Sequence, residues 1–464
     1  MPLVWQITNE LKGWLSPDKL RTFNRRWREQ GGGMADEVVE DFISVLTRPE
    51  MHYESLLGYL ETCYRKPTPY RADYHHLYSW FVEMVSHLLR LRHTDLAHFI
   101  ARNIRFLSGI TVLAETNAPL WIFSLNHDVI IECLAAHHSI PLHSGFASGG
   151  ITLPRRNSSG AITGTLCAET LTAAQLDAGI PFPSIGTKGI NLLKIHGALD
   201  IFTFRDGADL ARILPPEPMV AGTLEMLRIA NEELIWVEPN SGQIAHATNE
   251  IAYADETGEM QFLRRSLLSG AYKFDNRESQ VLPANVLKQF SSNINHLTTL
   301  IVIGYGFGDL HINQILRAWL EFSADRHLEI VGPGMSSIPS FLLHVSPQVS
   351  VVSEKTCAYF DRIAGIQRTP QELLEKRLAD WVLANRTNRE ALAAYEAFYK
   401  DFVESCAQVT SDAIAGTLAV NEKADSSAAV STLQRLQSSI LEDQHVEYYQ
   451  RLAAFLAHVE VRAR

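Results

Sequence analysis

Residues Leu300 to Asn313 read LIVIGYGFGDLHIN, an apolar run that breaks into three alternating glycines and then into an acid. Leu300 to Ile303 is wholly apolar and mostly β-branched, as expected of a parallel strand covered on both faces. Asp309 stands where a helix N-cap belongs, and Ile312, Ile315, Leu316, Trp319 and Leu320 then fall on one helical stripe. The only geometry these fourteen residues suit is a strand, a tight turn and a helix in immediate succession.

The same plan recurs. In PLWIFSLNHDVIIECLAAHH, Leu120 to Phe123 is long enough for a buried strand, Asp128 is placed to cap, and Val129 to Leu134 continues as an apolar helix. Leu328 to Val331 ends in GPG, and NLLKIHGALD is a further short apolar run that ends at His196-Gly197. Buried strands separated by helices predict an α/β fold with a doubly wound, Rossmann-like parallel sheet.

Residues 1–115 carry apolar residues at three-and-four spacing, so a helical region is expected there, interrupted by Gly31 to Gly33 and with Asp36 as a cap. Gly145 to Gly164 is glycine- and serine-rich and reads as a long loop or irregular insertion. From Pro370 onward Ala, Leu, Glu and Arg dominate, which predicts a helical appendage broken near 421–427. The expected organisation is a helical region over 1–115, an α/β core over 116–355 and a C-terminal helical domain over 356–464. There is no repeat of fixed period.

Composition narrows the function. A chain of 464 residues with 46% hydrophobic and 20% charged content can bury a large core in two or three units. A formal charge of −11 argues against direct nucleic-acid binding, which needs Lys and Arg to neutralise phosphates. No run approaches eighteen apolar residues and the N-terminus lacks a signal-peptide layout, so a cytoplasmic protein without a membrane partner is expected. Five dispersed cysteines with no C-x-x-C pair read as buried thiols, not as disulfides or a zinc ribbon.

In doubly wound folds ligands sit beyond the carboxyl ends of the strands, against helix N-termini. Two polar constellations fall there: Ser124 to Asp128 (SLNHD) and Gly304 to Asp309 (GYGFGD). The second is G-x-G-x-G, not the dinucleotide pattern G-x-G-x-x-G, and no Walker A sequence is present. By itself it is equally a nucleotide-holding loop or a plain turn.

Taken in order, FSLNHD, KIHGALD and IGYGFGDLHIN resemble the sirtuin-like NAD-binding family, in its bacterial branch of NAD-consuming enzymes associated with defence against phage. The resemblance covers about residues 117–335. It implies that Asn126 contacts the nicotinamide ribose and positions the attacking water, and that His196 is the catalytic base. It implies a nucleotide-binding set of Ser124, Asp128, Gly304, Tyr305, Gly306, Phe307, Asp309 and His311, the last two in the G-D-x-H-I-N pattern of this branch. The implied activity is that of an NAD glycohydrolase releasing nicotinamide and ADP-ribose, with NAD as substrate and no prosthetic group. The family's deacylases carry a zinc module with two C-x-x-C pairs; its absence here points away from zinc and from acyl-lysine peptides. By resemblance the protein is an effector, expected to be a homo-oligomer and to be activated by a protein partner of the same defence system. The family also opens with a strand and a G-A-G-x-S loop that nothing here matches, which suggests that Met1 is a late start.

Simpler roles stand beside these. Asn126 is otherwise a turn residue, Asp128 and Asp309 helix caps, His196 a satisfied core histidine, and His311 part of a first helical turn. His137, His138 and His143 read as a solvated helix end, not a metal site. Tyr272 to Phe274 suits either core or substrate wall. The alternative functions are a catalytically silent NAD or ADP-ribose sensor and, third, a nucleotide-processing enzyme on a similar sheet. Hydrolysis, cyclisation and ADP-ribosyl transfer all remain open as the net reaction.

Overall fold

The computed structural model describes residues 4–204, 209–238, 242–245, 247–267, 285–385 and 446–459, with 390–391, 393–395, 397–398 and 401 in between. The chain divides into two compact units, Met1–Ala364 and Gly365–Arg464. Tyr272 to Phe274, Cys406 and 421–427 lie outside the described residues.

The first unit opens with seven helices: α1 (Val4–Trp14), α2 (Pro17–Glu29), α3 (Asp36–Leu46), α4 (Tyr53–Arg65), α5 (Arg71–Asp95), α6 (Ala97–Asn103) and α7 (Ile110–Thr116). Their three-and-four spacing turns Leu11, Phe42, Leu57, Leu60 and Phe81 into one core. Asp36 does not cap α3, whose N-cap is Ala35; its carboxylate instead accepts hydrogen bonds from Asn24 and Arg28 of α2.

Then follow β1 (Leu120–Ser124), α8 (Ile130–His137), β2 (Leu142–His143), β3 (Ala147–Arg156), β4 (Ile162–Leu171), α9 (Ala173–Ala178), β5 (Ile190–Lys194), β6 (Ile201–Phe204), β7 (Asp209–Ile213), α10 (Val220–Glu232), β8 (Glu250–Ala254) and β9 (Met260–Arg265). The unit closes with α11 (Asn285–Asn293), β10 (Thr299–Ile303), α12 (Leu310–Phe322), β11 (His327–Val331), β12 (Val349–Val352) and α13 (Thr356–Ile363).

The fold is mixed α/β with two three-stranded parallel sheets, ordered β1-β5-β2 and β10-β11-β12. Among the described strands of these two sheets, the central β5 alone is buried along its whole length. Among the described residues β1 and β10 each pair on one side and their apolar side chains are half-buried, which corrects the expectation of a buried β1 and of a β10 covered on both faces. Side chains alternate across each of these sheets. Phe123 and Val302 face a core shared with α11 and α12, while Ile122 and Ile301 face the opposite layers.

A six-stranded antiparallel sheet, β3-β4-β7-β6-β9-β8, was not foreseen, and it corrects the reading of residues 145–164 as a loop. Leu153, Leu166 and Ala168 point inward from a β3–β4 hairpin. The glycines and serines mark its irregular points only. Gly150 sits at a register shift, where a Cβ would lie 1.5 Å from the Ala168 carbonyl oxygen. Asn157 accepts backbone hydrogen bonds from Ser159 and Ala161 to form the turn. The alternation also exposes Cys167, so it is not a buried thiol; Cys133 is buried, and Cys63 and Cys357 are intermediate.

In the second unit, α14 (Pro370–Ala384) starts at a Thr369–Glu372 capping box, and Leu378 packs with Leu452 and Leu456 of a helix over 446–459. No helix among the described residues is long and apolar enough to cross a membrane.

Candidate functional site

β1 delivers the polar stretch that follows it into a loop pinned at several points. The Ile195 amide donates to the Ser124 carbonyl at 2.9 Å, and the Leu199 amide to the His127 carbonyl at 2.9 Å. The Ser124 hydroxyl accepts from the Asn126 amide at 3.2 Å. Asp128 accepts from the Ile130 amide at 3.0 Å; it steadies the start of α8 from one residue before the N-cap, which is Val129. Everything in the loop from His127 to Val129 is buried, and Asn126 stands exposed at its tip.

β5 places His196. The register pairs Ser124 with Lys194, so Asn126 and His196 each lie two residues beyond a matched pair on neighbouring parallel strands. His196 is 4% exposed. Gly197 follows at φ +78°, where a Cβ would lie 2.0 Å from the Ser266 carbonyl oxygen, so the chain can turn there only with glycine.

β10 supplies the third wall. Gly304 turns at φ +69° and Phe307 at φ +56°, a left-handed conformation that a bulky side chain holds only under constraint. Asn313 provides the constraint: its amide donates to the Phe307 carbonyl at 2.8 Å and its oxygen accepts from the Tyr305 hydroxyl at 3.0 Å. Burial, helped by the charge of Asp309, raises the Tyr305 pKa, so the phenol remains a neutral donor. Gly306 and Gly308 are exposed, with no positive φ, and among the described residues nothing lies within 4 Å of an added Cβ. Neither backbone strain nor packing accounts for glycine at those two positions.

Asp309 caps α12, accepting from the His311 and Ile312 amides through Oδ1. Its Oδ2 lies 3.2 Å from Nε2 of His196, a contact that is an ion pair only when the imidazole is protonated, with both side chains largely buried. His311, with its side chain 41% exposed, has Nδ1 3.8 Å from Oδ1 of the same carboxylate. The His127 ring lies 6.5 Å from that of His196.

The structure thus gathers His196, Asp309, His311, Tyr305 and the glycine loop, and it sets Asn126 at the end of the strand paired with that of His196. Sequence reasoning missed Asn313, although DLHIN placed it one helical turn beyond Asp309. It also missed Lys194, whose signal was a charged residue inside the apolar run NLLKI. Lys194 is buried 3.3 Å from Glu132 of α8 and donates to the Asp128 carbonyl. His137 and His138 stack edge to face, and among the described residues no group of three His, Cys, Asp or Glu side chains is placed to hold a metal ion.

An exposed amide, an imidazole backed by a carboxylate, and a glycine loop leading into a helix N-terminus suit a ligand with a polar reacting centre and an anionic portion. No protein-family model matches this chain, and no curated protein matches it.

Proposed function

We propose that this chain is an NAD glycohydrolase whose two parallel sheets are the halves of one doubly wound, sirtuin-like NAD-binding fold. The observation that carries the reading is the convergence of Asn126, His196 and the Gly304–Asp309 loop at the carboxyl ends of β1, β5 and β10. Glycines at 306 and 308 that the protein's own packing does not demand leave room for a ribose or phosphate to approach the backbone.

The chemistry fits those groups. The ring nitrogen of the ribosyl pyridinium is already cationic; it takes the electron pair of the C–N bond and leaves as neutral nicotinamide, with the positive charge passing to an oxocarbenium-like ribosyl centre, so no acid has to protonate the leaving group. Asn126 would orient the water and His196 would accept its proton, with Asp309 fixing the imidazole from the far side. This departs from ordinary glycosidases, which pair two carboxylates.

His196 lies nearly buried against Asp309, which favours a site that is completed on activation. An effector assembled by a partner, or by further copies of itself through its helical regions, would meet that need in the cytoplasm. The same burial also favours the second reading, a silent sensor of NAD or ADP-ribose. Incubating the full chain with NAD, with and without cell lysate, and measuring nicotinamide separates the two. Release that disappears in both Asn126→Ala and His196→Ala supports the hydrolase. Release that persists undiminished in both refutes the assignment, and NAD binding without release leaves the sensor.

A further inference from the structure

Beneath the site lies a group of buried charges that the reaction outlined above does not use. Lys194 is 6% exposed, and its ammonium reaches both the Asp128 carbonyl and Glu132 Oε1, the latter at 3.3 Å. Asp200, whose charge also acts on Lys194, accepts from Arg212 at 3.1 Å, and Arg212 also donates to Ser144 at 3.1 Å and lies 3.8 Å from Glu169. Glu132, Lys194, Arg212 and Ser144 line a cavity of about 30 Å³, and among the described residues Oε2 of Glu132 is buried without a hydrogen-bond partner. A space of that size admits one water.

We propose that Lys194, held by Glu132, is a positioning residue that fixes the Asn126 loop against the strand carrying His196. The backbone of Lys194 is register-matched to Ser124 at the start of the loop, and its side chain grips the Asp128 carbonyl at the far end. One residue therefore spans the loop whose tip is Asn126, two positions before His196. A buried ammonium with its donors committed cannot drift as an exposed one does, because leaving its acceptors unpaired is costly at low dielectric.

The grip is pH-sensitive. Burial pushes the Glu132 carboxyl up to about 7, against the pull of Lys194 and Arg212 and with the push of Asp200. Burial opposes the charge on Lys194, yet Glu132, Asp128 and Asp200 together hold its pKa above the ordinary lysine value. Buried His93 of α5 also senses Asp128 and Lys194, and burial lowers its pKa, while the neighbouring Cys133 thiol is pushed up. The charge that changes near neutrality is thus that of Glu132. When it ionises, the ammonium is fixed between a carboxylate and the loop carbonyl.

The inference rests on the hydrolase reading only for its kinetic arm. In the full chain, hydrogen exchange over 124–131, corrected for intrinsic rates, should slow between pH 6 and 8, and it should lose that dependence in Glu132→Gln. Lys194→Met/Glu132→Leu, which leaves no unpaired charge behind, should exchange about tenfold faster there and lose nicotinamide release by about 10²-fold, the loss expected of a misplaced reacting group. A folded double variant with unchanged exchange overturns the proposal, and so does unchanged release where the parent releases nicotinamide. If that variant does not fold, Glu132→Gln decides: pH dependence that persists in it overturns the proposal, and pH dependence that vanishes supports it. A loop that loosens as expected, in a protein that never releases nicotinamide, upholds the positioning role and sinks the hydrolase.

Discussion

His196 Nε2 lies 3.2 Å from Asp309 Oδ2, which couples the end of β5 to the cap of α12. The carboxylate is divided between two tasks. One oxygen closes the first turn of the helix and the other faces the imidazole. A cap alone needs no charge, since asparagine serves about as well as aspartate.

That division makes Asp309→Asn informative. The variant should keep stability within about 1 kcal/mol of the parent, because the cap survives. Nicotinamide release should fall at least about tenfold, because the charge behind the imidazole is gone. Asp309→Ala should lose the cap as well, at about 1 kcal/mol. Thermal unfolding alongside the NAD assay checks both, and equal activity in Asp309→Asn and the parent would reduce Asp309 to a cap.

Three glycines in two motifs should behave in opposite ways. Gly306→Ala and Gly308→Ala meet open space and ordinary backbone, so their effect on stability should stay within about 0.5 kcal/mol. If the loop admits a nucleotide, both should weaken ADP-ribose binding, measured by calorimetric titration, by tenfold or more. Gly197→Ala should instead destabilise by more than the roughly 1–2 kcal/mol of a left-handed backbone, since its Cβ also meets the Ser266 carbonyl. Unchanged binding in both loop variants would leave the glycine pattern without a ligand to explain it.

Asn313→Leu removes the donor that holds the Phe307 carbonyl and the acceptor of the Tyr305 hydroxyl. Each lost hydrogen bond to a part-buried group costs about 1 kcal/mol, so a loss of about 2 kcal/mol is expected. The released Phe307 should leave its left-handed conformation, and the loop amides should exchange faster. Urea unfolding checks the first effect and hydrogen exchange over 304–310 the second.

These contrasts show where the sequence was legible. LIVIGYGFGDLHIN declared its strand, cap and stripe, because Asp309 and the spacing of Ile312, Leu316, Trp319 and Leu320 are local signals. Asn126 and His196 were legible as candidates by motif, but their register-matched placement came only from the pairing of β1 with β5. The six-stranded antiparallel sheet was illegible. Glycines and serines around 145–164 mark a bulge and a turn inside a hairpin, and by composition alone those look like a loop. Half-burial of β1 and β10 was equally hidden, since an apolar edge strand and an apolar central strand read alike.

Glu132 should leave a signature in stability against pH. Its carboxyl titrates near 4.5 when unfolded and is raised by burial to about 7 in the fold. The folded chain therefore binds the proton more tightly than the unfolded one. The associated stability is fully present below pH 4.5 and is lost as pH rises through about 7. Glu132→Gln cannot ionise, so its stability relative to the parent should climb across that window and level off above it. Urea midpoints for both proteins at half-unit steps from pH 4 to 8 measure the difference directly. A difference that stays constant across the window would mean that Lys194 and Arg212 hold Glu132 ionised throughout, and that its carboxylate is a fixed counter-charge and not a titrating one.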